Sequence, residues 1–210
     1  MIDILIPSCK PYEEIEKQIK EIESSTPEEH RIVAQCEKKS AAKNRNIAHS
    51  KAISDFIIML DDDIKGFYFG WVSDLINPLL SNTNIVFSSA RLISEDGNFA
   101  SMMHTRFLTD LSCEFVPACP TACFAYRKAD LDSLIKFHNE DSLPFDESFV
   151  GSGWEDTALC ADLKKKYPHS QFVIVNKCKL IHLNEMKNQH VNNTYKRNKQ
   201  YYDKSGRKRI

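Results

Sequence analysis

Long apolar segments are absent from this chain of 210 residues. No apolar run approaches the ~20 residues that a membrane-spanning helix needs. The first residues, Met1-Ile2-Asp3, begin a predicted strand and do not resemble a signal peptide. No internal repeat or low-complexity segment is visible either. We therefore expect a soluble protein with no transmembrane segment and with one sizeable core.

An excess of either charge is also absent, since 28 basic residues face 29 acidic ones. This balance gives no reason to expect nucleic acid as a partner. The basic residues are nevertheless concentrated near the end, from Lys196 to Arg209. We predict a domain over residues 1–190 and a basic C-terminal tail or linker over 191–210, with additional domains possible after Ile210. A phosphate or membrane contact is the alternative for this segment.

A dense cysteine framework is missing as well. The seven cysteines are an odd number, spread over predicted strands and helices. This distribution indicates reduced thiols and a cytoplasmic location. Cys119 and Cys123 have no companion pair at zinc-finger spacing, so the sequence gives little support to a structural zinc site.

The apolar periodicity predicts a βαβαβ unit in the first half, with strands at residues 2–6, 31–35 and 56–60 and helices at 12–24 and 41–53. Pro7 is expected to break the first strand, and Pro78 to weaken or end a helix over 72–79. The second half is more mixed. Strands are predicted at 85–89, 91–93, 113–116, 122–126, 171–175 and 179–183, and helices at 128–137 and 155–167. The pattern indicates a single α/β domain.

Asp61-Asp62-Asp63 directly follows the apolar run 56–60, which places three carboxylates at the carboxyl end of a predicted buried strand. Adjacent carboxylates repel, and a hard divalent cation that also binds a diphosphate relieves the repulsion. Ligands of open α/β sheets bind at this end of the strands. A solvated acidic turn is the alternative.

The sequence resembles family 2-like glycosyltransferases of the GT-A fold. The resemblance extends to about His182, and the fold it implies has a single mixed, mostly parallel sheet flanked by helices. It rests on segments that follow the family pattern in order and spacing: Ala42-Lys43-Asn44-Arg45-Asn46, Ala52-Ile53-Ser54-Asp55-Phe56-Ile57, Leu60-Asp61-Asp62-Asp63, Phe145-Asp146-Glu147-Ser148-Phe149 and Gly153-Trp154-Glu155-Asp156.

The resemblance implies transfer from a nucleotide sugar, with UDP as the expected nucleotide, and Mn²⁺ or Mg²⁺ as cofactor. Asp63 is the best candidate for direct metal coordination and Asp61 is a further candidate ligand, while Asp61 or Asp62 is expected to bind ribose hydroxyls or water ligands. His182 is the candidate that completes the metal site, and a structural histidine is the alternative. Arg45 is expected to bind phosphate or to position the aspartates.

On the donor side, the resemblance assigns the base and ribose to Pro7, Ser8, Cys9 and Lys10 at the end of the first strand. The sequence departs from the family after the second strand, where Gln35-Cys36-Glu37 replaces the expected aspartate. The nucleobase is therefore left open.

On the acceptor side, Asp156 is the candidate general base for an inverting displacement at the anomeric carbon. Glu155 and Asp156 begin a predicted helix, whose dipole favours ionised carboxylates. Trp154 offers a flat face to a sugar ring, and Trp154 and Glu155 are therefore the candidate acceptor-binding residues. Gly151 and Gly153 would let the loop move over a glycan or glycoconjugate acceptor.

A weaker resemblance, to glycosyltransferase domains of algal-virus proteins that build capsid glycans, rests on the compact length, the cysteines and the basic end.

Three alternatives stay open. Lys65 stands where haloacid-dehalogenase-like phosphatases expect Thr or Val. Ser8-Cys9-Lys10-Pro11 lacks the glycine-rich phosphate loop of sugar nucleotidyltransferases. A lectin-like or scaffolding module could keep the same fold without catalysis.

Overall fold

The computed structural model describes residues 1–97, 112–138, 143–151, 153–183 and 189–207. Its strands are β1 (Ile2–Ser8), β2 (His30–Cys36), β3 (Phe56–Leu60), β4 (Ile64–Lys65), β5 (Ile85–Ile93), β6 (Cys113–Val116), β7 (Cys123–Arg127) and β8 (Gln171–His182). Its helices are α1 (Tyr12–Ser25), α2 (Ala41–Ser50), α3 (Trp71–Ser81), α4 (Lys128–His138), α5 (Glu155–Lys166) and α6 (Gln189–Lys204).

All the described strands belong to one sheet, with the order β2-β1-β3-β7-β5-β8-β4 and with β6 paired to β8. The predicted βαβαβ unit is present, because β1 pairs in parallel with both β2 and β3. The sheet is mixed, as expected. Among the described strands, three pairings are parallel and four are antiparallel, so the sheet is not mostly parallel.

Helices cover both faces of the sheet. α1 and α3 pack on one face, where Ile15, Ile19 and Trp71 join the core. α2, α4 and α5 pack on the other face through a second cluster that includes Leu131 and Leu159. Because both faces are covered, the central strands are apolar nearly throughout, and a ligand can reach this sheet only at its edges and strand ends. No helix in the described part of the chain has the length and apolar character required to cross a bilayer.

Three predicted boundaries differ from the structure by two residues or more. β1 continues through Pro7 to its end, because the ladder to β3 stops at Leu5 and the missing N–H of Pro7 is not needed on that side. α3 continues one turn beyond Pro78, and this last turn buries Leu79. α2 ends three residues earlier than predicted. The Asp3 carboxylate accepts the backbone N–H groups of residues 53 and 54, which draws this segment out of the helix.

Two pairs of predicted strands are single strands. The predictions at residues 85–89 and 91–93 merge into β5, and those at 171–175 and 179–183 merge into β8. The two strands are paired in parallel over their length, with an irregularity where Ala90 faces Val175 and Arg91 faces Lys179. The extra residues of this bulge, 176–178, lie in β8 and break the alternation of that strand in the sequence, so it reads as two. β5 has no extra residue at this point, and the break predicted within it is wrong.

The segment over residues 191–210 is not a solvated tail in its described part. Most of it belongs to α6, and Asn198 and Tyr202 of this helix are each only 1% exposed. Tyr202 packs with Phe149, Ala158 and Ala161 in a cluster of its own. The helix therefore covers α5 and the loop before it. The division of the chain at residue 190 remains a prediction.

Candidate functional site

The three aspartates after β3 face three different partners. Asp61 accepts a hydrogen bond of 2.9 Å from Nη2 of Arg45. Asp63 Oδ1 lies 3.2 Å from Nε2 of His182. Asp62 accepts a hydrogen bond from the Ser8 hydroxyl and lies 3.1 Å from Nζ of Lys10. The turn thus links the end of β1 and the end of β8 to the end of β3.

His182 reaches the aspartates because of strand pairing. β4 is antiparallel to β8, with Ile64 opposite His182, and the backbone N–H of Leu183 donates to the carbonyl of Asp63 at 2.9 Å. The histidine is distant from the aspartates in the sequence, and the register of the sheet brings it beside them. Burial acts to lower the pKa of His182, but its hydrogen bond with Asp63 and the nearby negative charges raise it overall.

Asp61, Asp63 and His182 form a group that fits a divalent metal ion. Each offers one ligand atom, and these atoms all lie within 4.8 Å of one another. Nδ1 of His182 is buried and has no hydrogen-bond partner in the described part of the chain. Two carboxylates and one imidazole suit Mn²⁺, and Mg²⁺ is also compatible with the oxygen ligands.

Arg45 connects this group to the start of α5. The side chain is almost completely buried, and its Nη1 lies 3.5 Å from Glu155 and 4.0 Å from Asp156. Its guanidinium carbon also lies 5.8 Å from the centre of the Phe145 ring. Burial acts to lower the pKa of Arg45, but the charges of the three neighbouring carboxylates raise it overall. Arg45 therefore stays charged and compensates the negative charge of Asp61 on one side and of Glu155 and Asp156 on the other.

The carboxyl group of Glu155 is buried beside a second acid. Burial and the charge of Asp156 raise the pKa of Glu155 to about 7, and the charge of Arg45 offsets only part of that rise. Its Oε2 is buried and has no hydrogen-bond partner among the described residues. Glu155 therefore changes charge near neutral pH, unlike an exposed glutamate.

Asp156 has more support than its neighbour. It accepts hydrogen bonds from both the backbone N–H of Thr121, at 3.1 Å, and the Thr121 hydroxyl. Its side chain remains 23% exposed, so solvent or a ligand can reach it. The first turn of α5 also favours a carboxylate through the helix dipole. Asp156 is therefore a fixed and accessible carboxylate at the edge of the site, and its role as general base remains a prediction.

Trp154 packs in the contact between α5 and α6. Its ring centre is 5.7 Å from that of Tyr195 and 5.1 Å from that of Tyr202, and Nζ of Lys199 lies 5.6 Å from it. These packing contacts account for the partial burial of the indole. The roles of Trp154 and Glu155 in acceptor binding remain predictions.

The predicted donor-side residues are grouped where β1 ends. The Ser8 hydroxyl accepts from the backbone N–H of Lys10 at 2.9 Å, Pro7 lies in β1, and Cys9 is exposed. Glu37 is brought beside them, because its backbone N–H donates to the carbonyl of Ser8 at 3.1 Å. The backbone of Glu37 thus lies beside the predicted donor-side residues, and its carboxylate pairs with Gln35 and Lys39.

Three side chains that support the site were not predicted. Asn44 donates to the carbonyls of Ser8 and Glu37, both at 2.8 Å. Gln18 donates to the carbonyls of Asp61 and Ile64, both at 2.9 Å, and so fixes the aspartate turn. Thr121 holds Asp156. The sequence gives a signal for a structural role of Gln18, because it is a polar residue on the otherwise apolar face of α1. It gives no such signal for Thr121.

Comparison with known proteins agrees with this geometry. No family model matches the chain, and no curated protein matches it significantly. Solved structures do match. A structure of GalNAc-T7 with UDP, GalNAc and Mn²⁺ has a TM-score of 0.64 at 11% identity, over 89% of this chain and 43% of that chain.

A second match is glucosyl-3-phosphoglycerate synthase from Mycobacterium tuberculosis in complex with Mn²⁺ and UDP-glucose. Its TM-score is 0.62 at 13% identity, over 96% of this chain and 76% of that chain. A third, described only as a mycobacterial protein, has a TM-score of 0.59 at 12% identity, over 89% of this chain and 68% of that chain. The present chain spans less than half the length of the GalNAc-T7 chain.

These structures give no support to the weaker resemblance to algal-virus capsid-glycan proteins. At such low identity they establish the fold and not the reaction. The chain has the GT-A fold, one mixed sheet flanked by helices, as the sequence predicts.

Proposed function

We propose that the chain is a metal-dependent glycosyltransferase that moves a sugar from a UDP-sugar donor to a hydroxyl group of a glycan or glycoconjugate acceptor. The observation that carries this proposal is the convergence of Asp61, Asp63 and His182 at the carboxyl end of β3. The matched structures that contain UDP together with Mn²⁺ support the same donor chemistry.

The donor side would be formed by the end of β1 and the aspartate turn. Asp61, Asp63 and His182 would hold the metal ion, which when bound would neutralise the charge that develops on the departing diphosphate. Ser8 and Lys10 already contact Asp62, so these groups can present hydroxyl and ammonium donors to ribose or phosphate oxygens.

The acceptor side would be formed by the start of α5. Asp156 is held by Thr121 and remains accessible, so it can take the proton of an acceptor hydroxyl. Different nitrogens of Arg45 face Asp61 and Asp156, so one guanidinium contacts the metal group and lies close to the proposed base. A base opposite the leaving diphosphate supports inversion of the anomeric centre.

The second candidate is an inactive module that binds a nucleotide sugar or glycan. The packing of Trp154 against α6 favours it to a limited extent, because the indole face is engaged by protein side chains. Turnover separates the two functions, since such a module would bind the nucleotide without transferring the sugar.

Binding and turnover of a panel of nucleotide sugars, each with Mn²⁺, Mg²⁺ or EDTA, test the proposal. A donor present at 100 times its dissociation constant should add about 2.7 kcal/mol to the free energy of unfolding.

Asp63→Asn should abolish most metal-dependent UDP binding in calorimetry while preserving the fold. Asp55→Asn is the matched control, because Asp55 is an exposed aspartate at the other end of β3. Equal Mn²⁺-dependent affinity in both variants would refute the metal site.

A further inference from the structure

The loop that enters α5 is held in an unusual backbone conformation. Trp154, the residue before Glu155, has φ of 73°, and it is the non-glycine residue with positive φ in the described part of the chain. A bulky residue adopts such a conformation only when its surroundings impose it. The sequence of α5 offers no local reason for this conformation, so the cause lies in tertiary contacts.

Those contacts come from α6. Nδ2 of Asn198 donates to the carbonyls of Val150, at 3.1 Å, and Gly153, at 3.0 Å. Oδ1 of Asn198 accepts the backbone N–H of Val150 at 3.3 Å. One buried amide therefore fastens two points of the loop, on either side of Gly151, to the helix.

The two glycines of the loop allow this close approach. A Cβ atom added at Gly151 would lie 2.8 Å from Cγ2 of Thr194, and one added at Gly153 would lie 2.7 Å from Cδ2 of Tyr195. Both glycines also have positive φ. The sequence suggests a mobile loop at these positions, but the structure shows the same residues packed closely against a helix.

Further contacts join α6 and the residues that follow it to α5 and to the loop. Arg207 lies 2.8 Å from Asp162 of α5 and 3.0 Å from Asp146 at the start of the loop. Tyr202 is buried against the indole of Trp154. The helix thus contacts the loop, the residue that precedes Glu155 and the body of α5.

We propose that α6 is a positioning element for Glu155 and Asp156, and that Asn198 is the residue that fixes the loop before them. Asn198 holds the loop at Val150 and Gly153, and it acts on the carboxylates through Gly153 and Trp154. The inference rests on the proposed function, because positioning matters only if these carboxylates take part in transfer. A misplacement of about 1 Å is enough to cost roughly 10²-fold in rate.

The test compares Asn198→Ala and Asn198→Asp with the control Gln200→Ala, which alters an exposed residue of the same helix. Asn198→Asp keeps the size of the side chain and one oxygen acceptor but removes both amide donors, so it serves if the alanine variant does not fold. Sugar transfer should fall about 10²-fold in the Asn198 variants. Their calorimetric affinity for UDP with Mn²⁺ should stay within about twofold, because the donor side is untouched.

Acrylamide quenching of tryptophan fluorescence gives a readout that does not depend on activity. The chain has two tryptophans, and Trp71 is completely buried, so an increase in quenching reports on Trp154. Relative to the unmodified protein, we expect an increase in quenching in the Asn198 variants and no increase in the control. Unchanged quenching, or UDP affinity that falls in parallel with transfer, would overturn the positioning role of α6 and leave the proposed function in place. An unmodified chain that transfers no sugar would overturn the proposed function, and with it the catalytic consequence of the α6 contacts.

Discussion

Arg45 donates a hydrogen bond of 2.9 Å to Asp61, and this pair joins α2 to the turn that follows β3. The guanidinium is almost completely buried, and burial also raises the pKa of Asp61 in spite of the opposing charge of Arg45. The other terminal nitrogen of Arg45 lies 3.5 Å from Glu155. A single cation therefore compensates acids on both sides of the site.

Removing that cation should destabilise the protein in a pH-dependent way. Arg45→Met leaves the half-buried Asp61 and the buried Glu155 without their counter-charge, which should cost about 3–5 kcal/mol of unfolding free energy at pH 8. The cost should be smaller at pH 5, where carboxyl groups with raised pKa values can take up protons. Urea denaturation in EDTA at the two pH values measures the difference.

The control for this experiment is Arg197→Met, since Arg197 is an exposed arginine of α6. That change should alter stability by no more than about 0.5 kcal/mol at either pH. An equal loss of stability at pH 5 and pH 8 in Arg45→Met would contradict the role of Arg45 as a buried counter-charge and would indicate that packing accounts for its effect.

Glu155 should give the folded protein a pH dependence of its own. Its pKa is about 7 in the folded state against an ordinary 4.5, so the folded state binds the proton more tightly than the unfolded state. For an acid with a raised pKa, stability is highest below pH 4.5 and is lost as the pH rises to about 7. Glu155→Gln removes this titration.

The unfolding free energy of Glu155→Gln, relative to that of the unmodified protein, should therefore rise by about 3 kcal/mol between pH 4.5 and about pH 7. Above that pH the difference between the two proteins should stay constant. Denaturation curves in EDTA, taken at intervals of pH, measure it. Glu13→Gln, at an exposed position of α1, should show no such trend. A constant difference between Glu155→Gln and the unmodified protein would mean that Glu155 keeps an ordinary pKa.

The sequence predicts the local part of the site better than its assembly. The aspartate turn follows β3 as expected, because an apolar strand and its boundary are encoded in neighbouring residues. The proximity of His182 to Asp63 depends on the pairing of β4 with β8, and only the family pattern indicated it. Its role as a ligand stays a prediction.

The long-range supports were not predictable, because no local pattern encodes them. Thr121 holds Asp156 from a position 35 residues away, and Asn198 reaches Val150 over 48 residues. α6 is rich in charged and polar residues, so its sequence is typical of a solvated segment, although Asn198 and Tyr202 are buried. Fold class follows from periodicity, whereas the burial of single polar residues follows from tertiary packing.

The choice of metal should depend on His182. An imidazole nitrogen contributes more to the binding of Mn²⁺ than of Mg²⁺, which prefers oxygen ligands. His182→Ala should therefore weaken Mn²⁺-supported UDP binding by a larger factor than Mg²⁺-supported binding. Calorimetry with each metal measures both affinities, and His169→Ala, at an exposed histidine, is the control. An unchanged Mn²⁺ affinity in His182→Ala would give this histidine a structural role only.

Asp156 should act on the acceptor and leave donor binding unaffected. Its carboxylate is fixed by Thr121 and lies 4.0 Å from Nη1 of Arg45, whereas Asp61 binds Nη2 of the same guanidinium. Loss of a positioned base costs roughly 10²- to 10⁴-fold in rate, or about 3–5 kcal/mol of barrier. Asp156→Asn keeps the shape of the side chain and should lose transfer by that factor, while its affinity for the UDP-sugar with Mn²⁺ stays nearly unchanged.

The matched control is Asp130→Asn, which alters another acid in the first turn of a helix. Asp130 pairs with Arg127, and Arg127 faces Phe56 at the start of β3, so this acid lies at the opposite end of the strand from the site. Transfer and donor affinity should be measured on the same preparations, with the anomeric configuration of the product assigned by NMR. Near-normal transfer by Asp156→Asn would remove Asp156 from the role of base. A product that retains the donor's configuration would exclude the inverting mechanism, because a single displacement assisted by Asp156 must invert the anomeric centre.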